Sequence, residues 1–266
     1  MINWLGEQRI AGKLIARIGR NGQQLVAEFP ELGILRASPP GDEVHFEPSI
    51  GADPIEVAKM RSSVLDALSR HIQGKITFHA SAVSSGSNVV GFLGPSGFGK
   101  STLVAALCQS GPFDLVADDT LAIEFEESES PGEAVRVVPT QSLAWLLPDA
   151  RRLIGLDSRE QNKIPIEFRR TSSDRLSLRA LVGLDFDDRA LNPSLRRLRG
   201  QNALPLLSMS LIRWIIDDPS AHLHEFKQLR RLVETCPVFE FQRKREPSGL
   251  VRSVNMMQEL FESCCS

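Results

Sequence analysis

Gly94-Pro95-Ser96-Gly97-Phe98-Gly99-Lys100-Ser101-Thr102 is the stretch that decides the fold. It satisfies G-x-x-x-x-G-K-[ST], and readable elements stand on either side of it. The apolar, β-rich NVVGFLG of 88–94 leads in, and STLVAALCQS of 101–110 has helical composition. Strand, glycine-rich loop and helix in that order are the context in which this motif holds phosphates. The glycines let successive backbone N–H groups curl inward, and the helix start adds unsatisfied N–H groups and a partial positive charge. Lys100 then reaches the β- and γ-phosphates of a nucleoside triphosphate, and the Ser101 hydroxyl ligates Mg²⁺. The competing reading, an ordinary glycine-rich turn, is disfavoured by the two flanking elements. The motif predicts nucleotide and Mg²⁺ binding and leaves the reaction open.

Working outward, FDLVA of 113–117 is a short buried strand that ends at Asp118-Asp119. One carboxylate can hold Mg²⁺ and the other can accept a proton from an attacking hydroxyl, because two like charges so close raise one pKa. Which does which stays open, and aspartates at strand ends also serve as plain turns and caps. On the other side, KITFHASAV of 75–83 pairs with 88–94 through the polar turn SSGS, a hairpin that feeds the loop. Alternation puts Ile76, Phe78, Ala80 and Ala82 on one face and Thr77, His79, Ser81 and Val83 on the other. A lone strand histidine such as His79 is more often a packing residue than a catalytic one.

His79-Ala80-Ser81-Ala82-Val83, the loop 94–102 and Ala117-Asp118-Asp119 stand together in order and at close spacing. In this the chain resembles the HPr kinase/phosphorylase superfamily, and more narrowly the HPr-kinase-like proteins of bacterial peptide-modification clusters, which include lasso-peptide precursor kinases. The motif match covers residues 78–122. The resemblance implies an α/β, phosphoenolpyruvate carboxykinase-like (HPr kinase-type) mixed-sheet domain with a phosphate loop. It also implies ATP with Mg²⁺, and a seryl acceptor on a peptide or small protein. It places His79, Lys100, Asp118 and Asp119 in the catalytic centre, with Ser101 and the aspartates at the metal. That family carries a downstream Glu-Ile-Arg-Gly-Leu-Gly segment, whereas the nearest text here is Arg152-Leu153-Ile154-Gly155-Leu156-Asp157. Phosphorolysis, and HPr as the substrate, are therefore not expected. Lys163 occupies a position where related proteins carry a basic residue, either near the transferred phosphate or as a solvated surface lysine. Members form oligomers, so a homo-oligomer stays open.

Elsewhere, KLIARIG, QQLVAEF, GILRAS and EVHFEPS between 13 and 48 alternate like a small antiparallel meander. We expect a β-rich N-terminal subdomain over 1–52 and the nucleotide-binding catalytic domain over 53–266. Asp53-Pro54 reads as a cap with proline at the first helical position, opening a helix over about 54–73. TLAIEFEE and AVRVVPTQ read as strands around an acidic turn, ESESPGE. A helix is expected at SLAWLLPDARRLIG, strands at KIPIEFRR, LSLRALVGLDF and PVFEFQRK, and helices at about 202–216, 220–235 and 250–263. On these helices Trp145, Leu146, Leu147, Leu211, Ile212, Trp214 and Ile215 are expected in a core or interface.

A formal charge of −2 gives no global field for nucleic acid, so none is expected as a partner. The basic groups Arg169, Arg170, Arg175, Arg179 and Arg196, Arg197, Arg199 read first as solvated faces. Cys108, Cys236, Cys264 and Cys265 lack metal-type spacing and fit a reduced, cytoplasmic protein. No leader pattern and no long apolar run is present, so no membrane association is expected. The function expected is an ATP-dependent kinase of a peptide or protein hydroxyl. The rivals are a nucleotide-binding regulatory or scaffold protein, a kinase of a small-molecule hydroxyl, and a carboxykinase-like enzyme acting on a small acid.

Overall fold

The computed structural model describes the chain apart from residues 40–42, 127–134, 141–142, 157–160, 170, 172–174, 190–191, 214–218, 247–248 and 265–266. The expected turn ESESPGE, Arg170, Trp214, Ile215, Asp157 and Cys265 lie outside the described residues. Two compact units form: Met1–Thr77 with Ile212–Gln228, and Phe78–Leu211 with Leu229–Ser266.

In the first unit β1 (Asn3–Ile10), β2 (Lys13–Asn21), β3 (Gln24–Phe29), β4 (Gly33–Ser38) and β5 (Glu43–Pro48) run as an antiparallel meander. Alternation works as expected: β4 is buried at every second residue. Ile18, Leu25, Ala27, Leu35 and Ala37 form a core with Leu68, which lies on α2 (Leu65–Ile72). Ahead of α2 come α1 (Pro54–Lys59) and a π-turn (Met60–Val64), so the expected helix is present with one widened turn. The Asp53 carboxylate accepts the Ile55 N–H at 2.9 Å, the cap that the sequence predicts. Strand β1 lay outside the expected meander, because its side chains are nearly all exposed or half-exposed and show no apolar alternation. It is joined to β2 by a tight turn with Ala11 and Gly12 both at positive φ.

Strand β6 (Thr77–Phe78) marks the boundary between the units. The second unit continues with β7 (Ala80–Ser85), β8 (Asn88–Leu93), α3 (Lys100–Ser110), β9 (Asp114–Ala117), β10 (Leu121–Phe125) and β11 (Val135–Val138). Next come β12 (Leu143–Leu146), α4 (Pro148–Leu153), β13 (Ile164–Glu167), β14 (Leu176–Phe186), β15 (Ser194–Leu198) and α5 (Leu204–Ser210). The chain ends in α6 (Pro219–Thr235), β16 (Val238–Arg243) and α7 (Gly249–Cys264). A mixed sheet runs β10-β11-β14-β8-β7-β9. Strand β14 is parallel to β8 along one edge; on the other it pairs first with antiparallel β11 and then with parallel β16. Strand β8 is flanked on both sides, and Val89, Val90, Phe92 and Leu93 are fully buried, the near-continuous apolar run of a strand covered on both faces. Helices α3 and α7 join its core through Leu103, Val104, Leu107, Met257, Leu260 and Phe261.

Two expectations are corrected. The run SLAWLLPDARRLIG is half strand: Leu143–Leu146 pairs with Ile164–Glu167, and only Pro148–Leu153 is helical. Pro148 explains the break, since the residue before a proline is pushed to extended backbone and Leu147 has ψ 159. The helix expected over 202–216 is also short. A 3₁₀ turn at Gly200–Ala203 leads into α5, which ends at Ser210, where Leu211 leaves helical geometry to bridge Phe78. Among the described residues no helix is long and apolar enough to cross a membrane.

Candidate functional site

Sheet register gathers the site. Strand β7 is antiparallel to both β8 and β9, with Ala80 opposite Leu93 and Ala82 opposite Ala117. The start of β7 therefore lies beside the carboxyl ends of β8 and β9, which brings together His79, the glycine-rich loop and Asp118-Asp119.

The loop turns on Gly94, Gly97 and Gly99, all at positive φ. Gly99 caps α3 at φ 81, and a Cβ there would lie 2.7 Å from a guanidinium nitrogen of Arg243. Gly99→Ala is therefore expected to destabilise the fold by about 1–2 kcal/mol from backbone conformation alone, and by more once Arg243 is displaced. A urea midpoint equal to wild type would contradict this.

Lys100 opens α3 and is 5% exposed. Its ammonium donates to the carbonyls of Gly94 at 2.7 Å and Pro95 at 3.2 Å, so it lies inside the curl of the loop. Burial lowers its pKa, against the pull of Asp119 and Asp118. The next residue, Ser101, donates its hydroxyl to Asp118 Oδ1 at 2.8 Å. Ser81 donates to the same oxygen at 2.6 Å, and the Trp145 backbone N–H donates to Oδ2 at 2.9 Å. Asp118 is completely buried. Burial raises its pKa, the neighbouring Asp119 raises it further, and the three hydrogen bonds oppose both.

Asp119 takes a left-handed turn at φ 68, so the two adjacent carboxylates part company. Its Oδ2 lies 3.8 Å from Lys163 Nζ, with both side chains about one-third exposed. Its carbonyl oxygen lies 3.1 Å from His79 Nδ1. A carbonyl only accepts, so that contact assigns the proton to Nδ1 and leaves Nε2 with its lone pair. Burial, then the charge of Lys100, lowers the His79 pKa below its ordinary 6.5. Unfolding therefore takes up a proton on acidification, and this group's contribution to stability is present above about pH 6.5 and lost below it. The fall in melting temperature from pH 7.5 to 5.5 is expected to be smaller in His79→Asn than in wild type; equal falls would remove His79 from the acid response.

The structure thus unites His79, Lys100, Ser101, Asp118, Asp119 and Lys163. Pro95, Ser96 and Gly97 form the exposed tip of the loop. Three participants were not anticipated in these roles: the Ser81 hydroxyl, the Trp145 amide and Arg243. Arg243 is 6% exposed and donates to the Phe98 carbonyl at 3.2 Å and to Ser253 Oγ at 3.1 Å, which ties β16 to the loop. Burial lowers its pKa to about 10. Of the basic groups read as solvated faces, Arg169 pairs with Asp114, Arg179 with Asn88 Oδ1 at 2.7 Å, and Arg196 with Glu240 at 2.7 Å.

The donor set suits a hard cation: a carboxylate and a serine hydroxyl in contact. Among the described residues no group of three or more His, Cys, Asp and Glu side chains could hold a metal alone. A Mg²⁺ ion here would take most of its oxygen ligands from phosphate and water, as this ion does.

No protein-family model matches the chain, and no curated protein matches it. Among solved structures it is similar to the Hpr(Ser) kinase/phosphatase from Coxiella burnetii, with 15% identity and a TM-score of 0.36 over 70% of this chain and 97% of that one, a likeness too slight to assign an activity.

Proposed function

We propose that the chain is an HPr-kinase-like phosphotransferase that uses ATP and Mg²⁺ and moves the γ-phosphate to a serine hydroxyl of a peptide or small protein. The observation that carries this reading is the Ser101–Asp118 hydrogen bond of 2.8 Å, formed at the root of a loop whose curl holds Lys100. A glycine-rich turn with a purely structural role has no use for a desolvated ammonium beside a buried carboxylate.

On this reading the loop amides and Lys100 hold the phosphates, and Ser101 with Asp118 holds the cation. Bound Mg·ATP supplies the phosphoryl group and neutralises charge on its oxygens. Phosphoryl transfer asks little covalent chemistry of the protein, so the remaining work is orientation and proton handling. Asp118 already accepts from three donors, which suits it to a fixed role at the metal. Asp119, partly exposed and turned toward Lys163, is the carboxylate free to take the proton of an incoming hydroxyl. His79 Nε2 is the second available acceptor.

The test is transfer of label from γ-labelled ATP with Mg²⁺ to serine-bearing peptides, including those encoded beside the gene. Label on a peptide serine, absent without Mg²⁺, is the expected result. Retained ATP binding with no label on any peptide or small hydroxyl compound would replace this reading with a nucleotide-gated binding protein.

A further inference from the structure

Arg20 is an arginine on the core-facing side of its sheet. It stands two residues beyond Ile18 on β2, and the register sets Arg20 opposite Leu25 and Leu25 opposite Ala37. Ile18, Leu25 and Ala37 belong to the core of the first unit, so Arg20 ends a row whose other members are buried. The arginines of the opposite face have carboxylate partners: Arg17 pairs with Glu28 at 2.6 Å and Arg36 with Glu47 at 3.2 Å. The Arg20 side chain is exposed and makes no ion pair or hydrogen bond among the described residues.

Helix α2 covers this row only in part. Leu68 lies in the core and Ile72 packs against it, but the helix ends at Ile72 and the chain turns at Gly74, φ 72. A cavity of about 390 Å³ is left beyond the helix end. Arg20, Gln23, His71 and His224 give it polar groups, and Leu25, Ala37 and Ile72 give it apolar surface. Every lining residue belongs to the first unit, and among the described residues none is Asp or Glu. The Gly74 carbonyl accepts from His224 Nε2 at 2.9 Å and from Gln228 Nε2 at 2.7 Å, which ties this wall in place. Small-molecule sites of roughly 300–1,000 Å³ combine apolar walls with a few fixed polar groups in this way. We propose that the cavity binds a small organic acid, with its carboxylate or phosphate on Arg20 and its carbon body on Leu25, Ala37 and Ile72. A guanidinium fork matches two oxygens of such a group at once. The site shares no residue with the phosphate loop, and the inference is independent of the nucleotide reading.

The experiment titrates the full chain, carrying ¹³C-labelled Ala and Ile methyl groups, with benzoate, phenyl phosphate and the uncharged benzamide. Movement of the Ala37 and Ile72 signals with a Kd below about 10 mM is expected for at least one of the two acids and not for benzamide. The tighter acid identifies the oxyanion. Arg20→Gln, at an exposed position, is expected to raise that Kd about tenfold, the scale of losing a charge-assisted hydrogen bond. Arg36→Gln, on the opposite face, is expected to leave it unchanged. Lys100→Met is expected to leave it unchanged as well, which separates this cavity from the phosphate loop. Thermal melts of each variant check that the fold is intact. The proposal is overturned if neither acid moves these signals, if benzamide binds as tightly as the acids, or if Arg20→Gln binds like wild type. Loss of binding in Lys100→Met would assign the acid to the phosphate loop and overturn it too.

Discussion

Lys100→Met is expected to reduce phosphoryl transfer about a thousandfold, the scale of losing one preorganised charge aimed at the transferred group, or roughly 4 kcal/mol of barrier. Methionine keeps the apolar stem and removes the ammonium alone. The fold is not expected to suffer. Because burial lowers the Lys100 pKa, the charged amine is held at a cost near neutral pH, and its stabilising contribution lies only at alkaline pH, being lost as pH falls. Labelled ATP and thermal melts on the same preparation separate the two effects. Full transfer by Lys100→Met would end the case for the loop as the catalytic phosphate site; a collapsed melting temperature would show Lys100 to be a structural post.

Asp118 gives the second large effect, and here two substitutions are expected to part ways. In Asp118→Asn the amide oxygen can face the Trp145 N–H while the amide nitrogen faces Ser81 and Ser101, whose hydroxyls turn and accept. The fold stays satisfied and a buried charge is gone, so the melting temperature is expected to hold or rise. Transfer is expected to fall by about a hundredfold or more, since the fixed anion that would face the cation is lost. Asp118→Ala instead strands the buried Trp145 N–H, at about 1–3 kcal/mol. Urea titration beside the transfer assay checks both. Equal stability of the two variants would mean that the Trp145 contact contributes nothing.

How much of this was legible depended on whether the informative residues were neighbours in sequence. The loop was readable because its consecutive residues carry both the glycines and the lysine, and Asp118-Asp119 because they close a short apolar strand. Ser81 was visible only as sharing a face with His79. The Trp145 amide was invisible, since a backbone donor leaves no side-chain signature. Its segment also reads as an apolar helix until β13, about twenty residues on, claims it as a strand partner. Arg243 was read only as part of the strand PVFEFQRK, and its packing beside Gly99 in the fold is what buries it. Strand β1 escaped because exposure on most of its residues erases the alternation by which strands are recognised.

The placement of β8 has a mechanical consequence. Its ladders to β14 and β7 run along both edges, so shifting the strand means breaking two rows of hydrogen bonds at once. The root of the loop is held along both edges, while the tip at Pro95–Gly97 is exposed and outside the ladders, the kind of segment that opens at low cost. Adjustment to a ligand falls on a few residues of the tip, against a strand that serves as a fixed datum.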